Sequence, residues 1–417
     1  MLTAKSLQTP GEAARAIIGD IRPLPVECIP LTESLDRVLA QDVASPIDIP
    51  AWDNSAMDGY ALRSADLKQA GVELRVVETV HAGSFPKKRL GAGQCTRIFT
   101  GAQLPQGSDT VIRQEDTTAL DGDRVKINNP RDAGKNVRRR AEDITKGTRV
   151  LTQGTPLGPA QLGVLASIAQ GEVYVYRRPK VAFLGSGDEI AELDDREAIL
   201  SGKKIASSNT YTLHALIRRA GGEPVNLGVA RDDPDDFRQK LKSISVADLL
   251  VTSAGVSMGE RDYVRPVIEE LGGKMKFWRI RMRPGAPVGF GFLRGAPWLG
   301  LPGNPVSTMV TFELFVRPVI RKMLGHTAPF RRAVPVTAGE RITLGVKLTH
   351  FLRGVVSDEN GSLVARLTGP QGSGILTSMA LANALLIVPE TKTEVEVGET
   401  LQAIWLEDPV HVEEPPF

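Results

Sequence analysis

Residues 248–263 read DLLVTSAGVSMGERDY, and the reading of this stretch decides the fold. Leu249, Leu250 and Val251 are a short apolar run of the kind that forms a buried strand. The run empties into Thr252, Ser253, Ala254 and Gly255, continues through Val256, Ser257, Met258 and Gly259, and closes on Glu260, Arg261 and Asp262. A strand opening into a small-residue loop ahead of a helix is where open α/β sheets bind ligands. Gly255 and Gly259 permit close backbone approach, and the hydroxyls and N–H groups suit an anionic, phosphate-like ligand. A tight strand-to-helix turn with no ligand satisfies the same residues.

Around this stretch the chain alternates strand and helix. Strands are expected at Val181–Leu184, Val225–Val229, Phe277–Met282 and Ala296–Leu301. Helices are expected at Thr210–Arg219, Asp235–Ile244, Tyr263–Leu271 and Val306–Leu324, the last kinked by Pro318. Such alternation implies a mostly parallel sheet covered by helices. Upstream, short β-rich runs (Glu73–Val80, Thr96–Phe99, Thr110–Gln114, Arg124–Ile127) between Gly, Pro and Asp clusters mark a separate β domain. It is followed by a helix at Pro159–Ala169 and a strand at Val173–Tyr176. Downstream of His326, short strands with turns at Glu359-Asn360-Gly361 and Glu396-Val397-Gly398 give a small β domain. Near the start, Thr9-Pro10-Gly11-Glu12 is a helix N-terminus with a capping box, and a second helix is expected over Thr32–Val43. The implied division is 1–45 as a helical linker region completed by 147–176, 46–146 as the β-rich domain, 177–327 as the α/β domain and 328–417 as the C-terminal β domain.

With 417 residues, several domains are expected. Hydrophobic content of 41% and charged content of 24% describe a globular protein. A net charge of +2 argues against bulk nucleic-acid binding. Cys28 and Cys95 supply neither a disulfide framework nor zinc spacing, and a cytoplasmic setting is expected. MLTAKSLQTPGEAARAII lacks the long apolar core of a signal peptide, and no apolar run approaches the ~20 residues of a membrane span.

Four constellations carry chemistry. Acids stand at strand ends: Asp188 and Glu189 in LGSGDE, Asp232 and Asp233 in RDDP, and Asp262. Ends of parallel strands share one edge, so these carboxylates can converge on magnesium or on a water; Asp232 and Asp233 also suit the cap of the helix starting at Pro234. WRIRMRPG sets Arg279, Arg281 and Arg283 on one strand face, which fits an oxyanion or a solvated edge. In LPGNPVS, Pro302 and Pro305 bracket a rigid turn whose Asn304 can cap the following helix. The β domain carries DNSAMDGYAL (53–62), FTGA (99–102) and KNVRRRAEDI (135–144), which read singly as turns and a charged surface. No P-loop is present, the GxG at Gly185–Gly187 lacks its third glycine, and the histidines have no metal-ligand spacing.

Taken together, DNSAMDGYAL, IFTGA, NVRRRAEDI, GSGDEI, RDDP, TSAGVSMGERDY, RPGAP and LPGNPVS resemble the molybdopterin molybdenumtransferase family, to which the C-terminal domain of gephyrin is similar. The resemblance runs in order from about Leu7 to Leu406. It implies a multidomain α/β protein with a three-layer α/β domain, a β-rich domain, an N-terminal helical region and a small C-terminal β-barrel, assembled as an elongated homodimer. The implied reaction inserts molybdate into adenylylated molybdopterin and releases AMP with Mg2+ as cofactor. By matching position, the catalytic residues are Asp58, Glu189, Asp232 and Asp262, and the metal ligands Asp188, Asp232 and Asp262. Substrate and anion contacts fall on Thr100, Arg138, Ser257, Arg279, Arg283, Pro302, Pro305, Arg353 and Ser373; Asp143 is a further match. The dimer implies that the β domain of one subunit completes the α/β cleft of the other. Implied partners are the molybdopterin adenylyltransferase and molybdoenzyme chaperones, with neither nucleic acid nor membrane. Many members carry lysine where this chain has Arg279, Arg283 and Ala286, which puts the geometry of the anion site, and the choice of molybdate over tungstate, in question. The extra β domains speak against an adenylyltransferase. Retention of Asp58, Asp232 and Asp262 speaks against a non-catalytic scaffold.

Overall fold

The computed structural model describes residues 7–242, 247–255 and 263–407. They divide into two compact units: residues 29–35 and 41–173 make one, and the rest of the chain makes the other. The first helix, α1 (Pro10–Gly19), starts as its sequence dictates. Thr9 accepts from the Glu12 N–H, Glu12 reaches back to the Thr9 N–H, and Pro10 occupies the first turn.

The 29–35/41–173 unit is built on one mixed sheet. Its strands are β1 (Gly59–Leu62), β2 (Val72–Val80), β3 (Gln94–Ile98), β4 (Thr110–Arg113), β5 (Thr117–Leu120) and β6 (Arg124–Ile127), in the order β4-β1-β3-β2-β6-β5. Pairing is antiparallel except between β2 and β3. Apolar residues bury both faces, Ala61, Ile98 and Val111 on one and Leu62, Cys95 and Ile112 on the other. Helix α2 (Pro159–Ser167) belongs to the same unit.

In the other unit a six-stranded sheet is formed, among the described residues, by β7 (Lys180–Ser186), β8 (Glu223–Ala230), β9 (Leu249–Ser253), β10 (Lys274–Phe277), β11 (Gly289–Leu293) and β12 (Ala296–Leu301). The order is β8-β7-β9-β12-β11-β10; β8, β7, β9 and β12 run parallel, and β11 and β10 finish the edge antiparallel. Central β9 is buried along its whole length, as a strand covered on both faces must be. Helices α3 (Ser208–Ala220), α4 (Pro234–Leu241) and α5 (Val264–Glu270) cover the sheet. Ala13, Ile17 and Ile21 join the same core from the N-terminal segment. Each fully buried Ile contributes on the order of 2 kcal/mol. Downstream, β13 (Ala333–Ala338), β14 (Thr349–Glu359), β15 (Ser362–Leu367), β16 (Ala384–Val388) and β17 (Thr400–Trp405) close into a barrel through the β14–β16 pairing. Asn360 and Gly361 make the tight β14–β15 turn with positive φ.

Three expectations change. The helix over Thr32–Val43 does not form: Leu31–Glu33 makes a single 3-10 turn, and Asp36 takes a left-handed conformation (φ 62°). The Ala40 N–H then donates to the Tyr174 carbonyl, so Val38 and Leu39 are buried by an extended segment while Leu35 stays exposed. The strand expected at Phe277–Met282 ends at Phe277, and Met282–Arg283 instead pairs with Thr349–His350 of the barrel. The helix after LPGN runs as Pro305–Thr311, a π turn over Phe312–Val316, and Arg317–Met323. Pro318 has no N–H to donate, and the wider turn just before it takes up the interruption. Among the described residues no helix is long and apolar enough to cross a membrane.

Candidate functional site

The carboxyl ends of β7, β9 and β12 open into a cavity of about 730 Å³. Glycine is required at Gly255: φ is +69°, and a Cβ there would lie 2.1 Å from a Val264 methyl. Asn209, at the start of α3, joins two of the loops. Its side-chain amide donates to the Ser253 hydroxyl (2.8 Å) and to the Gly303 carbonyl (2.7 Å). Nothing in the sequence singles out Asn209, since an asparagine in a helix's first turn is ordinary. Glu189, Pro302 and Pro305 all line this cavity.

Asp188, next to Glu189, faces elsewhere. It lines a neighbouring depression of about 420 Å³ with Glu192, Lys204 and Arg231. One Asp188 carboxylate oxygen accepts the Asp232 N–H at 3.1 Å, which joins the ends of β7 and β8. The Tyr263 hydroxyl donates to the Arg231 carbonyl (2.7 Å) and sits 3.3 Å from the Asp232 carboxylate. Burial pushes the Tyr263 phenol up, and the carboxylates of Asp232 and Asp188 add to that. Of the two acids in RDDP it is Asp233 that caps α4, accepting from the Asp235 N–H, which leaves Asp232 at the strand edge. Ser257 and Asp262 lie outside the described residues. Among the described residues no group of three His, Cys, Asp or Glu side chains is placed to hold a metal ion.

The three arginines keep their alternation although only Met282–Arg283 is strand. Ile280 and Met282 point into the core while Arg279 and Arg283 are exposed, yet the Ile280 N–H donates to Ala286 and the Met282 N–H to Ile280. Arg281 is neutralised by Glu390 at 3.3 Å. Arg279 and Arg283 make no ion pair among the described residues, so these two are the cations left for an anion. Arg283 lines a cavity of about 350 Å³ with His350, Arg353 and Gln371. Arg353 is fully buried, and burial lowers its guanidinium to about 10. Its donors reach the carbonyls of Pro370 (3.4 Å), Gln371 (3.1 Å) and Gly372 (3.0 Å) and the Ser378 hydroxyl (3.0 Å). Arg353, which the family resemblance implies as a substrate or anion contact, organises the loop that presents Ser373. Asn304 stands at the N-cap of the helix, but its side chain makes no cap bond; its amide donates to the Ser373 hydroxyl at 2.9 Å.

In the other unit, Asp58 and Thr100 meet directly. One Asp58 oxygen accepts both the Thr100 N–H and its hydroxyl, each at 2.8 Å. The backbone bond first and the hydroxyl second hold the Asp58 carboxyl below the usual carboxylate range. Arg138 is exposed, on a two-residue strand paired with Asn54–Ser55. Asp53 accepts from the Arg139 side chain and the Arg140 N–H, both at 2.8 Å. Burial raises the Asp53 carboxyl, but these two donors outweigh it and leave it lowered. Asp143 is exposed, its N–H spent on the Ile49 carbonyl.

Known proteins match this architecture region by region. Residues 9–169 match the MoeA N-terminal region (domain I and II), 182–322 a probable molybdopterin binding domain, and 335–406 the MoeA C-terminal region (domain IV). The molybdopterin molybdenumtransferase of Haemophilus influenzae is 36% identical over 91% of this chain and 93% of its own length. That of Nostoc sp. is 37% identical over 91% and 88%. The crystal structure of the molybdopterin biosynthesis moeA protein from Pyrococcus horikoshii OT3 superposes with a TM-score of 0.81 at 30% identity, covering 96% of this chain and 100% of that one. Identity of this level, sustained through all three regions and joined to the same fold, is kinship: the chain belongs to the molybdopterin molybdenumtransferase family, transferases of molybdenum cofactor biosynthesis.

Proposed function

We propose that the protein moves molybdenum from molybdate onto adenylylated molybdopterin and releases AMP in a magnesium-dependent step, as a cytoplasmic homodimer. The observation that supports this reading is the hydrogen bond from the Asp232 N–H to the Asp188 carboxylate, which ties two strand-end acids together at the depression next to the 730 Å³ cavity. Neither carboxylate makes an ion pair among the described residues, so both keep charge for a ligand. Magnesium takes one or two carboxylates together with water and substrate phosphates, and this pair fits that demand. Asp188 and Asp232, with Asp262 added by family resemblance, would hold the ion, which when bound neutralises charge on the phosphate as AMP leaves.

The remaining roles belong to the chain itself. Glu189 lines the cavity, and in this reading it takes the proton of the water whose oxygen displaces AMP. Arg279 and Arg283 offer guanidinium forks to a tetrahedral dianion. Asn209 fixes the β9 and β12 loops, and Pro302 and Pro305 stiffen the cavity rim. Asp58 and Thr100 belong to the same reading, as do Arg138, Ser257 and Ser373 and the four-domain division at 45, 146, 176 and 327. An adenylyltransferase would supply the substrate, and molybdoenzyme chaperones would receive the product. The test is to incubate the purified protein with adenylylated molybdopterin, molybdate and magnesium and to quantify AMP by chromatography. Folded protein that yields no AMP above a protein-free control rejects the reading. Asp232→Asn and Asp262→Asn are expected to suppress release.

A further inference from the structure

Arg97 has the marks of a side chain held for geometry. It lies on β3, opposite Tyr60 of β1. Its guanidinium donates to the Gly59 carbonyl (2.9 Å) and to the Gln114 side-chain oxygen (2.6 Å). The plane also covers two rings, Tyr60 at 5.1 Å and Phe99 at 4.8 Å from the ring centres. His81 stacks on Phe99 at 4.6 Å and 12°. Arg97 makes no ion pair among the described residues, so an ordinary cross-strand charge pair does not explain it.

Three of these contacts lead to Asp58 or Thr100. Gly59 follows Asp58, Phe99 precedes Thr100, and the Gln114 N–H donates to the Asp58 carbonyl at 3.0 Å. The guanidinium therefore holds the backbone carbonyl that follows Asp58 and packs on the ring that precedes Thr100, with the Gln114 side chain as its third contact. Neighbouring structure leaves little slack: a Cβ on Gly59 would lie 1.9 Å from the Ile112 carbonyl oxygen. A planar fork can make two directed bonds and stack at once, which an ammonium cannot.

We infer that Arg97 is the positioning residue for the Asp58–Thr100 pair, setting the distance at which the Thr100 N–H and hydroxyl both reach one carboxylate oxygen. The inference rests on the reading of Asp58 and Thr100 as site residues. The test uses the full-length protein with Arg97→Met and Arg97→Lys. Asp58 is titrated by NMR after 13C-carboxyl labelling of aspartate, its resonance identified with Asp58→Asn, and AMP release is measured in parallel. Both variants are expected to raise the Asp58 midpoint toward the ordinary carboxylate range. Both should also lower kcat about tenfold, with KM within about twofold and melting temperature near wild type. An unmoved Asp58 midpoint in Arg97→Met, whatever the rate, overturns the inference. So does full recovery by Arg97→Lys, which would make charge alone the cause. If wild-type protein releases no AMP, the functional reading falls, and the titration still decides the positioning role.

Discussion

The side-chain amide of Asn304 and the hydroxyl of Ser373 are hydrogen-bonded at 2.9 Å, and the Val306 N–H donates to the Ser373 carbonyl at 3.1 Å. The barrel loop is thereby tied to the loop that ends β12 and lines the largest of the described cavities. Ser373→Ala removes the first bond and keeps the second. A neutral hydrogen bond of this kind is worth about 1 kcal/mol, so AMP release should fall about fivefold while the melting temperature barely moves. Steady-state kinetics beside a thermal melt check this; an unchanged rate would make the tie incidental.

Arg353→Met should act on stability. It strips a buried donor set from the carbonyls of Pro370, Gln371 and Gly372 and from the Ser378 hydroxyl. Leaving such acceptors without partners costs on the order of 3 kcal/mol. A urea unfolding curve should show the unfolding free energy reduced by about that amount, with the midpoint shifted to lower urea and Arg353→Lys recovering only part of the loss.

His326 sets a pH dependence. It is 6% exposed, and burial, then the nearby Arg321 and Arg317 charges, lower its pKa from 6.5 to about 4. Between those values the unfolded chain binds a proton that the folded chain refuses. The stabilisation is therefore complete above pH 6.5 and is lost as pH falls toward 4, by an amount on the order of 3 kcal/mol. Unfolding free energies at pH 7 and pH 5 should differ more for wild type than for His326→Gln; equal differences would clear His326 of the effect.

Arg283→Ala should weaken molybdate binding more than it disturbs the fold, because the side chain is exposed and makes no ion pair among the described residues. Loss of one charge-assisted contact predicts about tenfold lower affinity in a calorimetric titration. Arg281→Ala serves as the contrast. Its charge is already answered by Glu390, and its removal should leave molybdate affinity unchanged.

Much of the fold was legible because local signals and tertiary packing agree. The Thr9 capping box, the apolar run of β9, the β strand of Ala296–Leu301 and the Asn360-Gly361 turn all stand where residue chemistry puts them. The lost helix at Thr32–Val43 and the shortened strand at Phe277–Met282 both trace to partners that claim the backbone, and the interrupted helix at Phe312–Val316 traces to Pro318. Leu35, Val38 and Leu39 have helical spacing, but the backbone around Leu39 is claimed by Tyr174 and Val175. The arginines of WRIRMRPG alternate, but Ala286 and the barrel strand take their backbone. In the site, Glu189, Pro302 and Pro305 line one cavity. That adjacent Asp188 and Glu189 face different cavities was not legible, because a strand end leaves its regular period there. Nor was the recruitment of Asn304 by Ser373, which depends on how the barrel seats.

The short parallel pairing of Met282–Arg283 with Thr349–His350 has a consequence for how the protein can be dissected. On that side of β14 the sheet domain donates the neighbouring strand, so the barrel borrows its edge protection from outside its own sequence. A fragment beginning after His326 would present bare N–H and C=O groups beside apolar Phe351 and Leu352, a template for pairing with further copies. The barrel is thus closed against solvent yet open to self-association once its donor is removed, and the insoluble product of such a fragment would reflect the cut rather than an inability to fold.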